Sequence, residues 1–151
     1  MKHYRIFLLL LLLGSCTLNA DQEKSLNKAH VDYAAARNSG DVVKFAAFTH
    51  PSVISHYKQL GDSVFKQKFD LPVDIEHIQD GSVIEIAKED KTIHARIDYL
   101  NVFISDYSKE PEEFTVIAIS EDEGVTWFIL EQQDYYDDVI INPETRLLDN
   151  K

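Results

Sequence analysis

Apolar and polar positions change rhythm twice along this chain. Residues 6–13 form an unbroken apolar run behind the basic Lys2 and Arg5, and the small or polar Gly14, Ser15, Cys16 and Thr17 close it. Such a run is far short of the roughly 20 residues that span a bilayer. It also lacks the polar face that a surface helix of a soluble core would carry. The layout is that of a secretory signal: basic start, short apolar middle, small-residue exit. From Leu26 the rhythm becomes helical. Leu26, Ala29, Tyr33 and Arg37 share a face, and residues 34–36 are strong helix formers. Gly40 predicts the stop, and Asp41 predicts the N-cap of a second, short helix carrying Val42, Val43, Phe45 and Ala46. His50-Pro51 breaks that helix, residues 51–54 read as a brief extended piece, and a third helix is expected over residues 62–69 with Val64, Phe65 and Phe69 inward.

After Val73 the period falls to two. Strands are expected at residues 73–78, 82–88, 92–104, 114–120 and 126–130, with turns at 88–91 and 121–124 and a polar loop at 105–113. Residues 114–119 are apolar on both faces, as in a strand covered on both sides. The tail from Asp134 predicts a helical turn or two, ending at Asn142-Pro143. Helices followed by a meander of strands is an α+β order, with the N-terminal helices packed on a curved, mainly antiparallel sheet. The expected organisation is a signal peptide of lipoprotein type at 1–15, a tether at 16–24 and a single α+β domain at 25–151.

Cys16 is the only cysteine of the chain. An exported protein with one cysteine forms no internal disulfide, and its thiol asks for another use. The stretch Leu13-Gly14-Ser15-Cys16 resembles the bacterial lipobox, which implies acylation of Cys16 and attachment to the cell envelope. By the same resemblance to Gram-negative sorting, Thr17 after the cysteine points to the outer membrane. The alternative exit is Leu18-Asn19-Ala20, which would release a periplasmic or secreted protein. Charge narrows the partners. The chain has 15 Lys and Arg against 26 Asp and Glu. Loss of residues 1–15 takes away Lys2 and Arg5, leaving 13 bases and a net charge of about −13. Such a surface repels nucleic acid and anionic lipid, so the membrane partner is met through the N-terminal lipid alone.

Asn38-Ser39-Gly40-Asp41, then residues 45–51 and Val53, resemble the opening of the nuclear transport factor 2-like, cystatin-like superfamily. Residues 118–128 look like the closing hairpin of an uncharacterised secreted group within it. The resemblance implies helices packed into the mouth of a bent sheet. Its members include dehydratases, isomerases, ligand carriers and interaction domains, so it implies no one activity.

Ser120-x-Asp122-x-Gly124-x-x-Trp127 also resembles the Asp-box of bacterial sialidases. Its roles are structural: Gly124 supplies a positive-φ turn position, Asp122 accepts turn amides and Trp127 covers the hairpin base. Sialidase chemistry would need an arginine cluster, and beyond the leader only Arg37, Arg96 and Arg146 are present.

His94, Arg96 and Asp98 alternate on one face of an expected strand. Their chemistry would suit proton exchange at His94, assisted by Asp98, with Arg96 holding an anionic oxygen. The simpler expectation is an outward polar face, with Ile93, Ala95, Ile97 and Tyr99 packed inward. His50 and His56 flank Pro51 near the expected mouth of the sheet, where Tyr33 and Tyr57 would join them. No histidine pair has metal-ligand spacing, and no Gly-rich phosphate loop or nucleophile elbow occurs, so no metal or cofactor is expected. The sequence thus leads to a lipid-anchored, non-catalytic envelope domain that binds a small apolar ligand, a protein or a second copy of itself. The alternative is a small-molecule acid–base enzyme of dehydratase or isomerase type using a His/Asp pair.

Overall fold

The computed structural model describes residues 17–71, 73–106 and 108–149. The apolar leader and Cys16 lie outside the described residues. The chain is α+β. Among the described residues four helices, α1 (Ala20–Ser39), α2 (Val42–Phe48), α3 (Pro51–Gln59) and α4 (Asp62–Phe69), precede four strands, β1 (Glu76–Glu89), β2 (Thr92–Phe103), β3 (Glu112–Ser120) and β4 (Phe128–Glu131). The strands form an open antiparallel sheet in the order β1-β2-β3-β4. A one-turn helix, α5 (Gln132–Tyr135), and a short 3-10 turn at Pro143–Thr145 follow.

Helix α1 begins earlier than the hydrophobic spacing predicts and takes up residues 20–24, which read as tether. The cause is a capping box: the Asn19 side chain accepts from the Gln22 amide and the Gln22 side chain accepts from the Asn19 amide. Leu18, just before the cap, is already buried in the core. The helix ends at Gly40 with φ of 67°, as expected. Asn38 does more than end a helix. Its amide oxygen accepts from Ile78 N at 2.9 Å and its amide nitrogen donates to Ile78 O at 2.7 Å, docking α1 on edge strand β1.

Residues 51–54, expected to be extended, open helix α3 instead. Pro51 sits in its first turn, and the His50 ring accepts from Ser52 N at 3.2 Å. His-Pro thus ends one helix and starts the next, because proline's fixed φ and missing N–H suit a first turn. In α4, Phe69 is buried and Phe65 packs beside it, but Val64 is 38% exposed rather than inward.

The two strands expected at 73–78 and 82–88 are one strand, β1, kept continuous by register shifts between Gln79 and Ser82 and between Val83 and Glu85. Asp80 takes φ of 56° there. A Cβ on Gly81 would collide with the Tyr99 ring, so this close approach requires glycine. Strand β4 starts at Phe128, two residues later than expected, because Thr126 N is committed to the Asp122 carboxylate at 2.8 Å. In the tail, the helical turn comes earlier, at 132–135. Asn142-Pro143 does not stop a helix but opens the 3-10 turn, with Asn142 as its cap.

The core fills the space between the helices and one sheet face. Tyr33, Phe45 and Phe69 stack from the helices, with ring centroids 5.2 and 5.6 Å apart. Ile93, Ala95, Ile97, Tyr99, Val116, Ala118 and Ile129 supply the buried sheet side. Strand β3 is buried on both faces from Val116 to Ser120, as its pattern predicts. Part of the second face, around His94 and Arg96, is covered by the segment after β4.

Candidate functional site

Strand alternation puts His94, Arg96 and Asp98 on the face turned away from Tyr99, which bonds to α1 through His30. That face was expected to meet solvent, yet His94 is 2% and Arg96 5% exposed. The residues after β4 fold back across it. Arg96 donates to Tyr136 Oη at 2.8 Å and to the Asp149 carbonyl at 2.6 Å, and it pairs with Glu85 at 3.6 Å. A guanidinium with several fixed donors therefore pins the returning chain. Its Nε lacks a hydrogen bond within the described residues.

His94 holds the same segment. Its Nδ1 lies 2.7 Å from Tyr135 Oη and 3.3 Å from the Leu147 amide. The amide can only donate, so Nδ1 is the acceptor and the ring carries its proton on Nε2. Tyr135 then donates its hydroxyl to Nδ1 and accepts from the amides of Leu147 and Leu148 at 3.0 and 3.2 Å. Burial lowers the His94 pKa to about 4, with His50 adding to the shift, so the ring is neutral near pH 7.

The sequence triplet is thus divided by the structure. Asp98 stands four residues from His94 along the strand, about 13 Å at roughly 3.3 Å per residue. It accepts instead from Thr115 Oγ1 at 2.7 Å. The neighbouring Glu113 carboxyl is raised above its ordinary range by a hydrogen bond and the charge of Asp98. These groups border a shallow depression of about 310 Å³ that also exposes part of Arg96.

His50 does join His94. Both line a cleft of about 530 Å³ at the end of the sheet where the β1–β2 turn, the β3–β4 turn and the returning chain meet. Its apolar wall is Ile119, Ile140, Ile141 and Leu147, and its carboxylates are Glu89, Asp90, Glu121 and Glu144. His50 is a donor from Nε2 for the same reason as His94, since its Nδ1 accepts from Ser52 N. Burial lowers its pKa, and the charge of Glu121 opposes that shift in part. His56 is half-buried on α3, its ring set edge-on against Tyr57.

Between helices and sheet the space around the buried aromatic rings is filled. Its cavity measures about 10 Å³ and is lined by Tyr33, Phe45, Phe69 and Ile129 among others. An ion-pair cluster borders it that sequence spacing did not reveal. Lys68 lies 2.9 Å from both Glu131 and Asp134, and Tyr57 donates to Asp134 at 3.0 Å. Burial alone would lower the Lys68 pKa, but the two carboxylates hold it above its ordinary value. Tyr33 Oη, fully buried, has no hydrogen-bond partner within the described residues. The only sequence signal for this cluster was the lysine on the apolar side of α4.

Ser120, Asp122, Gly124 and Trp127 close the β3–β4 hairpin against α1. Ser120 Oγ donates to Asp122 at 2.8 Å and accepts from Gly124 N at 2.8 Å. The Thr126 amide bond holds the Asp122 carboxyl below its ordinary range. Gly124 takes φ of 87°, and Trp127 Nε1 donates to Ser25 Oγ at 2.8 Å and to Gly124 O at 3.1 Å. Ser25 Oγ donates in turn to Gly124 O, and Gln22 donates to Glu123 O at 2.7 Å. The cleft therefore lies at the same end of the domain as the start of α1.

Among the described residues no group of three or more His, Cys, Asp or Glu could hold a metal ion, and no helix is long and apolar enough to cross a membrane. Neither a protein-family model nor a curated protein matches the chain.

Proposed function

We propose that this protein is a lipid-anchored binding domain of the cell envelope, attached through Cys16 and recognising its partner in the cleft beside His50 and His94. The observation that carries this reading is the contrast between the filled space beside Tyr33 and Phe45, with a cavity of about 10 Å³, and an outer cleft of about 530 Å³. Ligand sites usually occupy several hundred cubic ångströms of concave surface with an apolar wall and a few placed polar groups. The reading of the fold as a nuclear transport factor 2-like cone is part of the same proposal. It is supported by the helices on one face of a sheet whose first strand is twice bulged. The anchor is supported by the lipobox-like leader and by Leu18, buried two residues after Cys16, which leaves almost no slack between lipid and domain.

Cell fractionation with mass spectrometry tests the anchor. The mature N-terminus is expected to be an acylated Cys16, and a Cys16→Ser variant is expected in the soluble envelope fraction. A Cys16→Ser protein that stays on membranes contradicts the anchor.

A second reading is a small-molecule acid–base enzyme. The Tyr135–His94 hydrogen bond beside an open cleft favours it, because it holds a neutral imidazole in one tautomer. Against it stands the separation of His94 from Asp98, the carboxylate the sequence offered as its partner.

A further inference from the structure

The cleft combines three features that together select a ligand. First, His94 is 2% exposed, and within the described residues no hydrogen bond uses its Nε2–H, while Nδ1 is committed to Tyr135 and Leu147. A donor on a ring this well buried, which reaches the open cleft and has no partner among the described residues, is free to give its hydrogen bond to a ligand there. His50 brings a second Nε2–H to the same space. Second, Glu89, Asp90, Glu121 and Glu144 border the cleft, no described ion pair uses any of them, and no Lys or Arg lines it. Third, Ile119, Ile140, Ile141 and Leu147 give it an apolar wall.

We infer that the cleft binds a peptide segment bearing a Lys or Arg side chain, with a peptide carbonyl accepting from the imidazole N–H groups and the cation meeting the rim carboxylates. The inference rests on the binding-domain reading and names its ligand class. The donors suit an acceptor, the carboxylates disfavour an anion, and the isoleucine wall accommodates the aliphatic stem that a Lys or Arg lays along apolar surface. An anionic ligand would meet four carboxylates and no compensating cation. A zwitterionic lipid headgroup also pairs a cation with an acceptor, but its acceptor is a charged phosphate that these carboxylates repel.

The test is titration of the isotope-labelled mature protein, followed by amide chemical shifts. The probes are acetyl-Gly-Arg-Gly-amide, acetyl-Gly-Glu-Gly-amide and glycerophosphoethanolamine. The arginine peptide is expected to produce saturable shifts at His50, His94, Ile119 and Ile141. The Glu121→Gln, Glu144→Gln double substitution, on exposed side chains that leave the fold intact, is expected to weaken binding about tenfold, as is raised salt. Saturable shifts at these residues from the glutamate peptide or the phosphoethanolamine, but not from the arginine peptide, overturn the ligand class and leave the cleft as the binding site. Saturable shifts from the arginine peptide confined to other surfaces, or none at all, overturn the inference. Fractionation of the Cys16→Ser protein reads the anchor independently of either result.

Discussion

Tyr135 donates its hydroxyl proton to Nδ1 of His94 across 2.7 Å, joining α5 to strand β2. That one bond fixes the imidazole tautomer and, with the Leu147 and Leu148 amides on the same hydroxyl, fixes the path of the returning chain that walls the cleft. Removing the hydroxyl leaves two backbone donors and a ring acceptor without their shared partner. Tyr135→Phe is therefore expected to lower stability by about 1–3 kcal/mol, read as a lower urea midpoint with an unchanged m-value.

Stability should also fall with acid because of His94. Its folded pKa is about 4 against an ordinary 6.5. At pH 7 both folded and unfolded rings are neutral. Between pH 6.5 and 4 the unfolded ring takes up a proton that the folded ring refuses, so stability falls, and below about pH 4 the loss levels off. Two to three pH units correspond to about 3 kcal/mol. A His94→Gln variant, which keeps an acceptor but cannot be charged, is expected to lose that part of the slope in urea melts run at successive pH values.

Lys68 pairs with both Glu131 and Asp134 where β4 meets α5, and Asp134 is buried. Truncating one member of such a cluster leaves carboxylates without compensation. Lys68→Met is expected to cost about 3 kcal/mol at pH 7, read as a lower midpoint in a urea titration.

Tyr33 offers the opposite case. Its hydroxyl is fully buried and unpartnered, and burial pushes its pKa well up. Losing a polar atom that makes no bond removes a desolvation cost. Tyr33→Phe is expected to raise stability by about 1 kcal/mol in denaturant titration, whereas Tyr33→Ala, which empties the aromatic stack with Phe45, is expected to cost about 3–5 kcal/mol.

Much of the fold is written locally. The helical face of Leu26 and Tyr33, the Gly40 stop, the Asp41 cap and the two-sided apolar run of β3 all follow from single-segment patterns, and the structure contains each of them. Capping chemistry at Asn19 and His50 was equally local but easy to overlook, because an Asn followed three residues later by Gln, or a His before Pro, reads first as loop. The union of two strands into β1 depended on a bulge that only the Tyr99 ring explains, a contact eighteen residues away. The site was less legible. Alternation placed His94, Arg96 and Asp98 on one face but could not reveal that a tail some 40 to 50 residues later would cover two of them. The meeting of His50 with His94 depends on the bridge between Thr49 and Ile129, which no periodicity announces.

The covered face of β2 and the neutral His94 it creates are the premise of the cleft, and the imidazole nitrogens report both directly. Long-range nitrogen–proton NMR of the ring across pH 3 to 8 is expected to show a proton on Nε2, an acceptor Nδ1 and a midpoint near pH 4. A ring that titrates at 6.5 or above, or that carries its neutral-form proton on Nδ1, would mean that the returning chain does not lie on His94 and that the cleft is not built as described.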